Sequence, residues 1–308
     1  MKIAIVGPGA MGLLLTGLLH KAGAEVTIID YNTERARELN RDGIHWEGID
    51  DNITLNIPVS TDLKDSSNID LIILCVKAYQ TENAVRSIAK DNYNGILLTL
   101  QNGVGNVETV KRHLPDASII AGITSEGATL VSRNHVRHAG CGETAFGPIE
   151  KGRPDKLFLD QFSDLLSRSS LKTKISMDVE NLIWGKLIIN VGINALTGIL
   201  RVRNGQLIEL APIRKLMADL VNEACLVAQA KGITLPYPNP VARVEEVCKL
   251  TSENISSMHQ DILKGSVTEI DYINGAVVRE GESLNVPCPL NYSITQIIHG
   301  IQECNILH

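Results

Sequence analysis

The chain has 308 residues, 44% of them hydrophobic and 21% charged, enough apolar material for two packed cores and too little charge density for a disordered chain. With 29 Lys+Arg against 35 Asp+Glu the formal net charge is −6, which argues against a broad nucleic-acid-binding face but leaves room for a small anionic substrate held by local cations. The six cysteines, Cys75, Cys141, Cys225, Cys248, Cys288 and Cys304, contain no C-x-x-C pair, so a disulfide scaffold is not expected and a reducing, cytoplasmic setting is.

Taken in chain order, the first half alternates short apolar runs with helical stretches. Ile3–Val6 reads as a strand and Met11–Lys21 as a helix. The apolar run Ile3–Leu19 has the outline of a signal peptide, but Gly7, Pro8, Gly9 and Gly12 interrupt it in a pattern of their own. Val26–Ile29 is a second strand, Thr33–Arg41 a polar helix, and Ile53–Val59 an alternating, edge-type strand. Then come the fully apolar strand Leu71–Val76, a helix over 80–90, the strand Ile96–Leu100, a helix over 107–113 and the strand Ile119–Ile123. Apolar strands alternating with helices predict a parallel sheet covered on both faces, an α/β Rossmann-type doubly wound architecture. Val136–His138 and Thr144–Phe146 read as antiparallel strands around a Gly-rich turn, followed by a helix over 154–167 and a strand at Thr173–Ile175.

Beyond Val179 there is little strand signal, and helices are expected over about 180–200, 211–231, 239–253, 265–281 and 290–303. The domain expectation is therefore 1–172 as a dinucleotide-binding domain and 173–308 as an all-helical substrate-binding and catalytic domain. The most apolar later stretch, Leu182–Leu200, contains Lys186, Asn190 and Asn194 and is not expected to span a bilayer.

Gly7-Pro8-Gly9-Ala10-Met11-Gly12 is a G-x-G-x-x-G fingerprint in its full context: an apolar strand before it, a helix after it, and a second strand ending in Asp30. Gly7 suits the tight turn, Gly9 lets a pyrophosphate approach the backbone, and Gly12 lets helix and strand pack closely. Free N–H groups and the helix dipole then favour the phosphates. Asp30 can accept hydrogen bonds from the adenine ribose and would repel a 2′-phosphate, which argues for NAD(H); Arg35 and Arg37 lie just beyond it.

In the second half Lys186, Asn190 and Asn194 recur at i, i+4 and i+8 among Leu187, Ile188, Ile189, Val191 and Ile193. On a helix this is a polar stripe on an otherwise buried cylinder, and buried Lys and Asn are costly without partners. The stripe suggests a binding site, and the lysine suits an oxyanion stabiliser and proton donor. His135-x-x-His138-x-x-Cys141 lies in a predicted β-turn region without a fourth spaced ligand, so no metal is expected.

Several motifs in fixed order carry a resemblance over essentially the whole length. They are the G-x-G-x-x-G start, Lys77-Ala78-Tyr79-Gln80, Gln101-Asn102-Gly103, K-x-x-x-N-x-x-x-N from Lys186, Arg203-Asn204-Gly205, Ser256-Ser257-Met258-His259-Gln260-Asp261, and Thr268-Glu269-Ile270-Asp271-Tyr272-Ile273-Asn274-Gly275. The chain resembles the 2-dehydropantoate 2-reductase (ketopantoate reductase) family. The resemblance implies reduction of 2-dehydropantoate to (R)-pantoate, a step of pantothenate biosynthesis, in a cleft between the two domains. It makes Lys186 the catalytic lysine, with Glu269 beside it and beside the cofactor. Gly7, Pro8, Gly9, Ala10, Met11, Gly12, Lys77, Asn102 and Ala128 become cofactor contacts, and Asn190, Asn194, Asn204, Asn254 and Ser257 join Lys186 on the substrate. It also implies NADP(H), against which Asp30-Tyr31 stands where many members place a basic residue. The alternatives are reduction of another small 2-keto acid on the same scaffold, or a non-catalytic dinucleotide-binding regulator, which would not need the Lys186/Asn190/Asn194/Glu269 set. The expected partner is a small-molecule substrate, with no nucleic acid and no membrane; a homodimer is compatible with these features.

Overall fold

Runs such as Ile3–Val6 and Leu71–Leu74 carry no polar residue on either face, so they persist as strands only where both sides of the sheet are covered. The structure, a computed structural model, describes residues 1–65 and 68–307. Its first elements are β1 (Lys2–Val6), α1 (Ala10–Lys21), β2 (Glu25–Ile29), α2 (Thr33–Asp42), β3 (Ile44–Glu47), β4 (Asn52–Leu55), β5 (Val59–Ser60), β6 (Leu71–Leu74) and α3 (Thr81–Lys90). They continue with β7 (Ile96–Thr99), α4 (Asn106–His113), β8 (Ser118–Thr124), β9 (Gly127–Ser132), β10 (His135–Gly140), β11 (Glu143–Pro148), α5 (Lys156–Arg168) and β12 (Lys172–Ile175).

Eight strands form one sheet in the order β12-β11-β8-β7-β6-β1-β2-β5. From β5 across to β8 every pairing is parallel, and β11 is antiparallel to β8. With β1 central and the chain winding outward both ways, this is the doubly wound arrangement expected. The two-residue period of β1 divides its side chains between two cores. Ile3 and Ile5 pack with Leu13, Leu14 and Phe162, whereas Ala4 and Val6 pack with Ile72, Val85 and Val110.

A second sheet, β4-β3-β10-β9, was not anticipated in full. The expected strand Ile53–Val59 divides instead. β4 pairs antiparallel with β3, while β5 joins the large sheet beyond Pro58, whose carbonyl accepts from Ile28 N–H. The expected pairing of Val136–His138 with Thr144–Phe146 does not form either: β10 pairs with β9 and β3, and β11 with β8 and β12. β9, half exposed along its length, lacks the apolar run that would have flagged it.

The chain divides into two compact units, one of Met1–Gln101 with Asn106–Val179, the other of Asn102–Gly105 with the residues from Glu180 onward. The division falls after Val179 rather than at 172/173, because β12 adds to the edge of the large sheet by pairing with β11.

The second unit contains α6 (Val179–Leu200), α7 (Gln206–Glu209), α8 (Ala211–Ala230), α9 (Pro240–Leu250), α10 (Ser257–Leu263), α11 (Asn274–Leu284) and α12 (Pro289–Leu307), with no strand among the described residues. Trp184, Leu187, Ile188, Val191, Ala195 and Leu196 of α6 pack against Met217, Leu220, Val221 and Ala224 of α8 and Val277 of α11. α6 is long and apolar enough to cross a membrane, yet 67% of its most apolar window is buried inside the protein. Asn274, fully buried, donates to the Asn291 side-chain carbonyl at 3.0 Å, tying α11 to α12. The expected helix over 265–281 starts only at Asn274. Gly265 is left-handed, and Thr268 Oγ1 accepts from Ile270 N–H, a local bond that competes with a helix and opens a 3₁₀ turn at Ile270–Tyr272.

Candidate active site

The β1–α1 loop fits a phosphate group by three separate features. Gly7 is left-handed at φ +97°, and a Cβ there would lie 2.6 Å from Val76 Cγ1. A Cβ on Gly12 would lie 2.1 Å from the Gly7 carbonyl oxygen, so only glycine lets α1 begin this close to β1. At Gly9, by contrast, the nearest atom to a Cβ would be Cys75 O at 3.9 Å, leaving the backbone open to a ligand. Gly9 is also the N-cap of α1 and supplies no side-chain cap, so no side chain competes for the first N–H groups. Pro8 lies in the turn, and Ala10 and Met11 are the first residues of α1.

Asp30 follows β2 and is buried. Both carboxylate oxygens are engaged: Oδ1 accepts from Asn32 N–H at 3.0 Å and Oδ2 accepts from Arg35 Nε. Arg35, which the sequence places just beyond Asp30, is its direct partner in the fold. Lys77 caps the 3₁₀ turn after β6. Beside it Gln101 Nε2 donates to Val76 O at 2.7 Å and to Thr81 Oγ1 at 2.8 Å, joining the ends of β6 and β7. Ala128 lies on β9 opposite His138.

In the second unit, Lys186, Asn190 and Asn194 occupy successive turns of α6. Removal of water from the Lys186 ammonium pulls its pKa down to about 8, and the Glu269 carboxylate opposes that shift. Glu269 is itself buried and accepts a 3.3 Å hydrogen bond from Asn102 Nδ2. Asn102 comes from the short segment that belongs to this unit although it lies far back in the sequence. Gly103 makes the docking feasible, since a Cβ there would overlap the Tyr272 carbonyl at 2.1 Å, while Val104 N–H donates to that same carbonyl at 3.0 Å. Lys186, Glu269 and Asn102 thus form a linked polar set held by α6 and the 3₁₀ turn.

Asn190 Nδ2 and Asn204 Oδ1 are buried with no hydrogen-bond partner among the described residues, as suits groups that await a polar ligand. Asn204 is held by Thr251 Oγ1 at 2.9 Å, and its N–H donates to Asn254 O at 3.0 Å. Asn194 is buried, while Asn254 and Ser257 are exposed. In the sequence Ser257 carried the ligand role, and Ser256, though part of the same motif, carried none. Ser256 is buried, caps α10 through His259 N–H and meets Thr197 Oγ1 at 2.7 Å. The clue available was the N-cap preference of the first serine in a Ser-Ser pair before a helix.

Two family models match in succession: "Ketopantoate reductase PanE/ApbA" over residues 3–151 and "Ketopantoate reductase PanE/ApbA C terminal" over residues 178–302. The chain belongs to the ketopantoate reductase family. It is similar to the 2-dehydropantoate 2-reductase of Pyrococcus horikoshii, with 33% identity covering 97% of this chain and 96% of the relative. Among solved structures it is similar to a PanE/ApbA family ketopantoate reductase from Ralstonia eutropha, with TM-score 0.89 and 28% identity, covering 99% of both chains. It is also similar to D-mandelate dehydrogenase solved with NADH and anilino(oxo)acetate, with TM-score 0.92, 30% identity and 99% of both chains covered. The ketopantoate reductase matches thus take in both the β1–α1 loop and the α6 polar row.

Proposed function

We propose that this chain is a reductase that uses a reduced nicotinamide dinucleotide to convert 2-dehydropantoate to (R)-pantoate. The observation that carries the reading is the water-poor Lys186 ammonium linked through Glu269 to Asn102, one helical turn from Asn190, whose Nδ2 is buried without a partner among the described residues. Family membership and the relatives named for this reaction support it. The experiment is a steady-state assay following reduced-nicotinamide absorbance with 2-dehydropantoate as substrate.

Gly7, Pro8, Gly9, Ala10, Met11 and Gly12 hold the pyrophosphate, with Asp30 at the adenine ribose and Lys77, Asn102, Ala128 and Glu269 as further contacts. When bound there, the dinucleotide would supply the hydride for the ketone carbon. As negative charge grows on the carbonyl oxygen, Lys186 stabilises it and gives up a proton from Nζ. Asn190, Asn194, Asn204, Asn254 and Ser257 orient the hydroxyl and carboxylate of the substrate without adding charge. Glu269 favours the protonated lysine.

A pH dependence follows with a definite sign. Lys186 must be protonated for reduction, so kcat/KM declines as pH rises through about 8. Glu269→Gln removes the interaction that raises the lysine pKa. The alkaline limb then moves to lower pH, and kcat at pH 7 falls. A pH–rate profile with an unmoved limb in Glu269→Gln would separate Glu269 from the lysine.

The cofactor assignment rests on Asp30 and Arg35. A buried carboxylate at the ribose favours NADH, and the Arg35 guanidinium on that carboxylate tempers its repulsion of a 2′-phosphate. We expect NADH to be used readily. Asp30→Ala should raise the NADPH/NADH ratio of kcat/KM by about tenfold or more, the scale of a 1.4 kcal/mol difference. Arg35→Ala should lower the ratio. A ratio unmoved by either substitution would show that this pair does not read the ribose.

A second reading, reduction of another 2-keto acid with NADH, draws on two observations. The chain resembles D-mandelate dehydrogenase at TM-score 0.92, and Asp30 stands where NADPH-dependent relatives are expected to carry a base. Relative kcat/KM values for 2-dehydropantoate and 2-oxo-2-phenylacetate separate the two.

A further inference from the structure

His135, His138 and Cys141 look alike in sequence but part company in the fold. His135 packs edge-on against His45 and meets Glu47 Oε2 at 3.2 Å. His138 lies on the opposite side of β10, buried, and Glu126 takes the place beside it. Glu126 sits where the chain leaves β8 of the large sheet for β9 of the small one. Cys141 sits where the chain returns from β10 toward β11. The two crossings lie side by side, with Ser125 N–H donating to Glu143 O at 2.9 Å and Gly142 N–H donating to Glu126 Oε1 at 3.0 Å.

The result is a Glu, a His and a Cys whose ligand atoms all lie within 4.8 Å of one another. Glu126 Oε2 is 2.6 Å from His138 Nε2, and Cys141 Sγ is 4.0 Å from that same nitrogen. The side chains of Glu126 and His138 are only 2% and 6% exposed, so this is a carboxylate and an imidazole withdrawn from water, with an exposed thiol at the rim. The arrangement is wrong for a nucleophilic relay. In a relay the base and the orienting carboxylate use different ring nitrogens, whereas here thiol and carboxylate converge on one nitrogen. A single Nε2 proton cannot serve both, but a cation at the point of convergence serves all three.

We propose that Glu126, His138 and Cys141 form a three-ligand site for a zinc-type divalent cation, with solvent supplying the fourth ligand at the open Cys141 rim. Tetrahedral zinc bound by N, O and S ligands spaces them roughly 3.3–3.7 Å apart. Measured from His138 Nε2, the thiol lies a few tenths of an ångström beyond that spacing and the carboxylate oxygen lies inside it by somewhat more. The donor set of one imidazole, one thiolate and one carboxylate is borderline-soft, which selects Zn²⁺ or Co²⁺ over Mg²⁺ or Ca²⁺. On binding, the thiol loses its proton to solvent and the imidazole proton resides on Nδ1. The two negative ligands balance the dication, and affinity falls with falling pH. Occupancy would pin the β8–β9 and β10–β11 crossings together.

The test is a Co²⁺ titration of the intact, reduced chain followed by absorption. One cobalt per chain should produce a thiolate-to-cobalt charge-transfer band with intense four-coordinate visible bands, and Zn²⁺ should bleach both. Cys141→Ser, at an exposed position that the fold tolerates, should abolish the charge-transfer band. Glu126→Gln should weaken cobalt binding by about tenfold or more. Cys304→Ser, the control at the other exposed cysteine, should change nothing. Absence of the band in the wild-type chain, its persistence in Cys141→Ser, or its loss in Cys304→Ser would each overturn the proposal.

Discussion

Lys186→Ala lowers kcat for 2-dehydropantoate reduction by about 10²-fold or more, the scale of a lost general acid combined with a lost oxyanion partner. The expectation rests on where the charge sits. Lys186 holds a poorly solvated ammonium with a pKa near 8, at which roughly nine-tenths of it carries the proton at pH 7. It is thus an acid near its working pH, which is the condition for efficient proton transfer. Removing it leaves the buried Glu269 carboxylate with Asn102 but without its cation, so a thermal melt should accompany the kinetics. Affinity for the dinucleotide, measured by fluorescence titration, should stay near wild type, because the glycine loop lies in the other unit. Asn190→Ala should act mainly on KM, since an orienting amide serves ground state and transition state alike. Turnover of Lys186→Ala close to wild type would place the proton donor elsewhere.

Gly9→Val should weaken dinucleotide binding by about 10²-fold or more while leaving the melting temperature nearly unchanged. A Cβ at Gly9 would meet no atom closer than 3.9 Å, so the branched side chain has room in the fold and takes the space a pyrophosphate needs. Gly12→Val provides the contrast. Its Cβ would stand 2.1 Å from the Gly7 carbonyl, so that variant should lose stability as well as binding. Fluorescence titration and melting of the two variants side by side distinguish a ligand-facing glycine from a packing glycine. Equal affinity in Gly9→Val and wild type would remove the loop from the cofactor site.

Much of this was legible because the relevant signals are local. The parallel strands announced themselves as apolar runs, and the β1–α1 loop as three glycines at fixed spacing between a strand and a helix. The α6 stripe needed only the helical period to bring Lys186, Asn190 and Asn194 together. What stayed hidden depended on distant parts of the chain. Asn102 and Glu269 are 167 positions apart, and only the docking of residues 102–105 onto the 3₁₀ turn joins them. The helix expected over 265–281 failed at its first turns because Thr268 captured Ile270 N–H, an interaction that periodicity does not register. The boundary lies past 172 because the strand read at Thr173–Ile175 pairs with β11 at the edge of the large sheet, a partner that local sequence does not name. Glu126 could not be set beside His138 without the pairing of β9 and β10.

The most direct test of the account is a comparison of kcat/KM for 2-dehydropantoate with that for 2-oxo-2-phenylacetate and other small 2-keto acids, each with NADH and with NADPH. The account predicts that 2-dehydropantoate is the best substrate and that its turnover with NADH is readily measured. No turnover of 2-dehydropantoate with either cofactor, or a preference of about tenfold or more for another 2-keto acid, would contradict it.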